Sequence, residues 1–230
     1  PTGRLPAGRP SLQQLVLPPS LSRRDQPSVT WKDLAPFALF DDATWPDRGA
    51  LLLEQPVGEV VAHRQDEVEG ALERLDEALA ANLHAAGYLS YELGYCFEPR
   101  LRKIAPLPVR PLLRFMLFEN IQRLEARQRD RWLGELAPCE VTPIDTAETI
   151  SRDSYERKFA HVHDLIGRGD VYQVNLTFKI RTQAIDNVPS LYQRLRERAR
   201  AGGCAFLHFA EEDVLSLSPE TFFSVSGKQI

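Results

Sequence analysis

At Gly169 the apolar residues of this chain change period. Before it, Tyr155, Phe159, Val162 and Ile166 recur every three or four residues, as on one face of an α-helix, and Ser151 stands where an N-cap belongs. After it, Tyr172, Val174, Leu176, Phe178 and Ile180 alternate with Gln173, Asn175, Thr177 and Lys179, the period of a strand with one apolar face. Gly169 falls where a C-cap glycine stops a helix. The pattern predicts a helix from Ser151 that ends at Gly169 and a strand from Val171 to Ile180.

The first half carries the same grammar. Short apolar runs between Phe37 and Val61, broken by Asp41-Asp42 and by Trp45 to Gly49, predict strands, among them Leu51 to Glu54. Asp66 followed by Glu69 resembles a capping box. Val68, Leu72, Leu75, Leu79 and Leu83 then mark an amphipathic helix that stops before Gly87. Gly87 to Tyr95 reads as a strand with a bend, and Leu112–Leu124 and Arg131–Leu136 as further strands joined by the charged turn Arg127–Asp130. After the Gly169 strand, Ser190 caps a helix from Leu191 to Arg200. Strands follow over Cys204–Phe209, Val214–Leu217 and Phe222–Val225, the first two joined by the turn Glu211-Glu212-Asp213. Strand, helix and strands, twice over and with hairpins, predict α+β architecture rather than a doubly wound α/β sheet. Three segments result: a loosely ordered, Pro-rich arm over 1–30, a region 31–145, and a region 146–230.

Composition excludes several classes. With 43% hydrophobic residues in 230, the chain can bury a core. A net charge of −4 gives no field to hold a polyanion, and the basic helix Arg194, Arg196, Arg198, Arg200 is interleaved with Glu197, so a solvated face rather than a nucleic-acid surface is expected. No apolar run is long enough to span a membrane and no secretory signal opens the chain, so a soluble, cytoplasmic protein is expected. Cys96, Cys139 and Cys204 are scattered and are read as buried free thiols. His161 and His163, two apart, do not share a helix face, and Gly167 to Asp170 follows a helix where phosphate loops precede one.

Three segments, Gly169-Asp170-Val171-Tyr172-Gln173-Val174-Asn175-Leu176-Thr177, Leu191-Tyr192-Gln193-Arg194-Leu195-Arg196 and Leu217-Ser218-Pro219-Glu220, resemble in order and spacing the chorismate-utilising enzymes, and most closely aminodeoxychorismate synthase component I. Leu51 to Glu54 and Gly87 to Gly94 look like the N-terminal, anthranilate synthase component I-like region of that family, so 31–145 would be that region and 146–230 the first part of the chorismate-binding region. The resemblance implies a four-layer α/β/β/α fold with orthogonally packed, mostly antiparallel sheets. It also implies replacement of the 4-hydroxyl of chorismate by an amino group, in the 4-aminobenzoate branch of folate synthesis. Ammonia would come from a glutamine amidotransferase partner, magnesium would hold the substrate carboxylate in the complete enzyme, and some relatives carry a fused aminodeoxychorismate lyase domain.

By position, Glu220 inherits the role of general acid/base at the departing hydroxyl, a role that suits a partly buried carboxyl. Ser218, Gln173, Asn175 and Thr177 are the substrate-binding candidates; the polar face of the last three looks either into a cleft or to solvent. Leu53, Glu54 and Cys204 fall where relatives hold a tryptophan, but Gln55 replaces that motif's serine and Gly202-Gly203 its Pro-Tyr, which weighs against tryptophan binding. The family's Pro-x-Lys-Gly-Thr segment and its magnesium-binding glutamates do not occur in these residues, so this chain alone is expected to be inactive. Anthranilate synthase component I is the nearest alternative, and a non-catalytic module that holds an aromatic ligand or a partner is the alternative from another class.

Overall fold

In the computed structural model, which describes residues 31–137, 145–183, 185, 187–225 and 227, antiparallel strands form where short apolar runs meet turn residues. Along the chain the elements are β1 (Phe37–Asp41), β2 (Ala50–Glu54), β3 (Gly58–Ala62), α1 (Val68–Ala80), β4 (His84–Leu89), α2 (Gly94–Phe97), α3 (Pro99–Arg102), β5 (Leu113–Phe118), β6 (Gln122–Leu124) and α4 (Ala126–Leu136). They continue with β7 (Thr146–Glu148), α5 (Arg152–Gly167), β8 (Ile180–Thr182), α6 (Val188–Ala199), β9 (Gly203–His208) and β10 (Asp213–Ser218). The arm expected over 1–30, and Cys139, lie outside the described residues.

Residues 1–138 and 189–230 form one compact unit and 139–188 a second. In the first unit, five strands run in the order β10-β9-β1-β2-β6 and three in the order β3-β5-β4, all neighbours antiparallel. Strand alternation decides what each face covers. Ala38, Leu53, Leu207 and Phe209 of the larger sheet pack with Ala86, Met116 and Phe118 of the smaller one. Each large side chain buried there contributes about 1.5–3 kcal/mol. The far face of the small sheet packs Val60, Ala62 and Leu113 against Val68, Ala71 and Leu75 of α1. The far face of the large sheet meets α4 and α6: the Phe37 ring lies 5.0 Å from Trp132 of α4, and Phe206 lies 5.3 Å from Tyr192 of α6. Helix, sheet, sheet, helix is thus an α+β arrangement, as the sequence pattern predicts, in the four layers that the family resemblance implies.

In the middle of the small sheet Gly87 faces Phe115, and a Cβ there would lie 2.0 Å from the Arg114 carbonyl oxygen and 2.6 Å from the Phe115 Cα. Only glycine allows that approach.

Several local expectations are corrected. Arg131–Leu136 is helix, not strand, and Arg127–Asp130 is its first part rather than a turn. Arg129, Trp132, Leu133 and Leu136 share one buried face, and a buried arginine in that stripe disguises the helical period. The Arg129 guanidinium donates to the carbonyls of Pro46 (3.1 Å) and Arg48, which fixes the β1–β2 loop. The strand expected to continue through Tyr91–Tyr95 stops at Leu89; a 3₁₀ turn and α2 follow and bury Leu93 and Cys96 at helical spacing. Helix α1 ends at Ala80, with Leu79 54% exposed, and no Asp66/Glu69 box starts it: a 3₁₀ turn, Gln65–Glu67, leads into it, and the Glu67 carboxylate closes that turn by accepting from the amides of His63 (2.7 Å) and Arg64 (3.1 Å). Ser190 lies within α6, not before it.

In the second unit α5 starts and stops as predicted. The Ser151 hydroxyl accepts from the Ser154 amide at 3.3 Å. Gly169 at φ +78° donates to the Ile166 carbonyl, and Asp170 to that of Leu165, both at 3.0 Å. The strand predicted from Val171 to Ile180 is not formed: only Ile180–Thr182 pairs, with β7, and Tyr172 is 97% exposed. Phe222–Val225 likewise joins no ladder among the described residues, and Phe222 is 95% exposed. An alternating sequence supplies a face, but a strand also needs a neighbour for its backbone, and the described residues supply none.

Candidate active site

The hairpin of β9 and β10 carries the residues of greatest chemical interest, because β10 ends at Ser218 and Glu220 follows in the bend. Its register runs from Asp213 opposite His208 to Ser218 opposite Gly203. The turn end is tied down by Arg114 of β5, whose guanidinium donates to Glu59, Glu211 (2.7 Å) and Glu212 (3.1 Å) and lies 4.4 Å from the Phe209 ring centroid. The Tyr88 hydroxyl donates to Glu212 at 2.7 Å. Burial, reinforced by that carboxylate, pushes the Tyr88 phenol well above its ordinary range. Burial opposes the charge of Arg114, yet Glu59 and Glu211 hold its guanidinium above the usual value.

At the other end the Ser218 hydroxyl accepts from the Glu220 amide (3.3 Å) and donates to the Glu220 carbonyl (2.7 Å), which fixes the Ser-Pro-Glu turn. Ser218 is half-buried and Glu220 exposed. The burial that suits an acid at this position is therefore not supplied by the described residues. Gly203, across from Ser218, borders an open cavity of about 580 Å³. Asp41, Asp42, Arg48, Arg123 and Cys204 also line it. In its wall Asp42 accepts from the Thr44 hydroxyl and, at 2.9 Å, from the Thr44 amide, and these bonds hold its carboxyl below the usual range.

Beneath this cavity lies a cluster that sequence reasoning missed. The Tyr192 hydroxyl donates to Asp41 Oδ1 at 2.6 Å, and Arg196 Nε donates to Asp41 Oδ2. The Asp41 side chain is fully buried and that of Arg196 is 11% exposed. Arg196 is thus turned inward, a correction to the solvated face expected for that helix. Burial, then the Asp41 charge, pushes the Tyr192 phenol far up. Burial and Asp41 also raise the Cys204 thiol, so it is held as a thiol and not as a nucleophile. Cys96 and Cys204 are buried and free, as predicted.

Leu53, Glu54 and Cys204 are not brought together. Leu53 points between the sheets beside Ala38, whereas Glu54 and Cys204 lie on the helix-covered face at opposite ends of β1, opposite Phe37 and Asp41. Four residues along the strand and two inter-strand spacings across it separate them by roughly 16 Å. Burial raises the Glu54 carboxyl above its usual value. Gln173, Asn175 and Thr177 belong to the second unit and are all exposed. Among the described residues no three His, Cys, Asp or Glu side chains converge as metal ligands, and no helix is long and apolar enough to cross a membrane.

A family model described as chorismate binding enzyme matches residues 35–230. Among curated relatives, aminodeoxychorismate synthase component 1 of Salmonella typhimurium is 31% identical over 110 residues, 46% of this chain and 24% of that protein; the Escherichia coli protein of the same name gives the same figures. Anthranilate synthase component 1 of Lactococcus lactis is 29% identical over 91 residues, 40% of this chain and 20% of the relative. The matched stretches thus span no more than a quarter of these relatives' lengths.

Proposed function

This chain belongs to the chorismate-binding enzymes, and from that premise we propose that it acts in component I of an aminodeoxychorismate synthase. Chorismate and ammonia would give 4-amino-4-deoxychorismate and water, the ammonia delivered by a glutamine amidotransferase subunit. The observation that carries the reading is the family match over residues 35–230, which includes the Ser218-Pro219-Glu220 turn. Asn175-Leu176-Thr177 and the 31% matches to proteins named aminodeoxychorismate synthase component 1 favour this reaction.

Glu220 protonates the departing 4-hydroxyl so that it leaves as water, and the resulting carboxylate takes the excess proton from the incoming ammonia nitrogen. Ser218 holds the backbone of this residue through its two hydrogen bonds, which positions the carboxyl at the end of β10. Magnesium, implied for the complete enzyme, finds no ligand set among the described residues, and none of these steps runs through it.

A second reading, anthranilate synthase, is favoured by the 29% match to the Lactococcus lactis protein. Glu220→Ala in the complete protein tests the assignment of the acid. Turnover is expected to fall by ~10² or more with the far-UV spectrum unchanged, and near-normal turnover would refute the role.

A further inference from the structure

The groove between the start of α1 and the corner formed by α2 and α3 has no part in the chemistry above. It encloses about 730 Å³ over an apolar floor of Val68, Leu72, Cys96 and Phe97. Its two rims carry opposite charge. On α1, Glu69, Leu72, Glu73 and Asp76 fall at i, i+3, i+4 and i+7, so an acidic stripe runs away from the groove along one exposed face. Across it, Arg100, Arg102 and Lys103 follow Phe97 on the corner. Arg102 Nε donates to the Cys96 carbonyl at 2.7 Å, which holds that rim in place. Among the described residues Glu69, Glu73, Asp76 and Lys103 make no ion pair, nor does the Arg100 side chain. Beside them Phe97 is 60% and Ile104 69% exposed, an apolar surface that solvent does not reward.

We propose that this face joins two copies of the chain about a two-fold axis, the acidic stripe of one against the basic corner of its partner, with Phe97 and Ile104 covered between them. The choice of a second copy follows from the arrangement. An isologous contact needs both complementary halves on one surface, which an unrelated partner does not require. The inference is independent of the reaction assigned above.

Sedimentation velocity of the full chain, from low to high micromolar concentration, tests it. A dimer is expected that weakens as added salt screens the rims. Glu73→Lys with Asp76→Lys, and separately Arg100→Glu with Lys103→Glu, each place like charges in both halves of the contact and are expected to weaken self-association by roughly tenfold or more. All four positions are on the surface, so unchanged circular dichroism is expected. Mixing the two variants is expected to restore association as a mixed dimer, because each then faces its opposite. A monomer at every concentration, a dimer indifferent to both variants, or association that requires a different protein would overturn the proposal.

Discussion

Replacing Asp41 by alanine tests how α6 is held on the large sheet. The native carboxylate is fully buried and accepts from the Tyr192 hydroxyl at 2.6 Å and from Arg196, whose side chain is only 11% exposed. Its removal leaves a buried phenol without an acceptor, about 1–3 kcal/mol, and a nearly buried guanidinium without a counter-charge. Breaking one side of a buried pair costs about 3–5 kcal/mol, so a loss of about 4 kcal/mol is expected for Asp41→Ala. Tyr192→Phe keeps the Asp41–Arg196 pair and removes one hydrogen bond to a charged group, about 1.5–3 kcal/mol. Because both changes strike one bond, the double variant should fall short of the sum by about 1 kcal/mol or more. Urea unfolding followed by tryptophan fluorescence measures all three. A loss below about 1 kcal/mol for Asp41→Ala, or strict additivity, would refute the reasoning.

Gly87→Ala should force β4 from β5, since the new methyl meets backbone that cannot swing away; a loss of about 3 kcal/mol or more is expected, whereas Gly58→Ala, with only the Leu117 side chain at 3.7 Å, should be tolerated in the same unfolding assay. For Glu54 the folded carboxyl binds its proton more tightly than the unfolded one, so its favourable contribution is present below the ordinary value of 4.5 and is lost as pH rises through the raised folded value. Glu54→Gln is therefore expected to be more stable than the native chain at pH 7 and no more stable near pH 4; the same difference at both pH values would contradict the sign.

What the sequence disclosed depended on how far apart the deciding residues lie. Helix α5 was legible because its cap Ser151, its stripe and its stop Gly169 are contiguous, and β9 and β10 because two apolar runs flank the acidic turn Glu211-Glu212-Asp213. Helix α4 was not, because Arg129 interrupts its stripe for a reason found only in the carbonyls of Pro46 and Arg48, some eighty residues earlier. The inward turn of Arg196 was likewise hidden, since its partner Asp41 lies 155 positions away. The stretch 171–179 shows the opposite failure: a strand pattern is a statement about one face, and pairing is decided by neighbours. At the candidate site, the Ser218–Glu220 turn could be anticipated from a proline flanked by serine and glutamate, but the exposure of Glu220 could not.

The product formed by the complete protein from chorismate and ammonium, with magnesium present, tests the central claim most directly. Chromatography with mass detection should find 4-amino-4-deoxychorismate, in which the whole carbon skeleton of chorismate is retained. Anthranilate and pyruvate in its place would contradict the account and assign the chain to the other branch of the family.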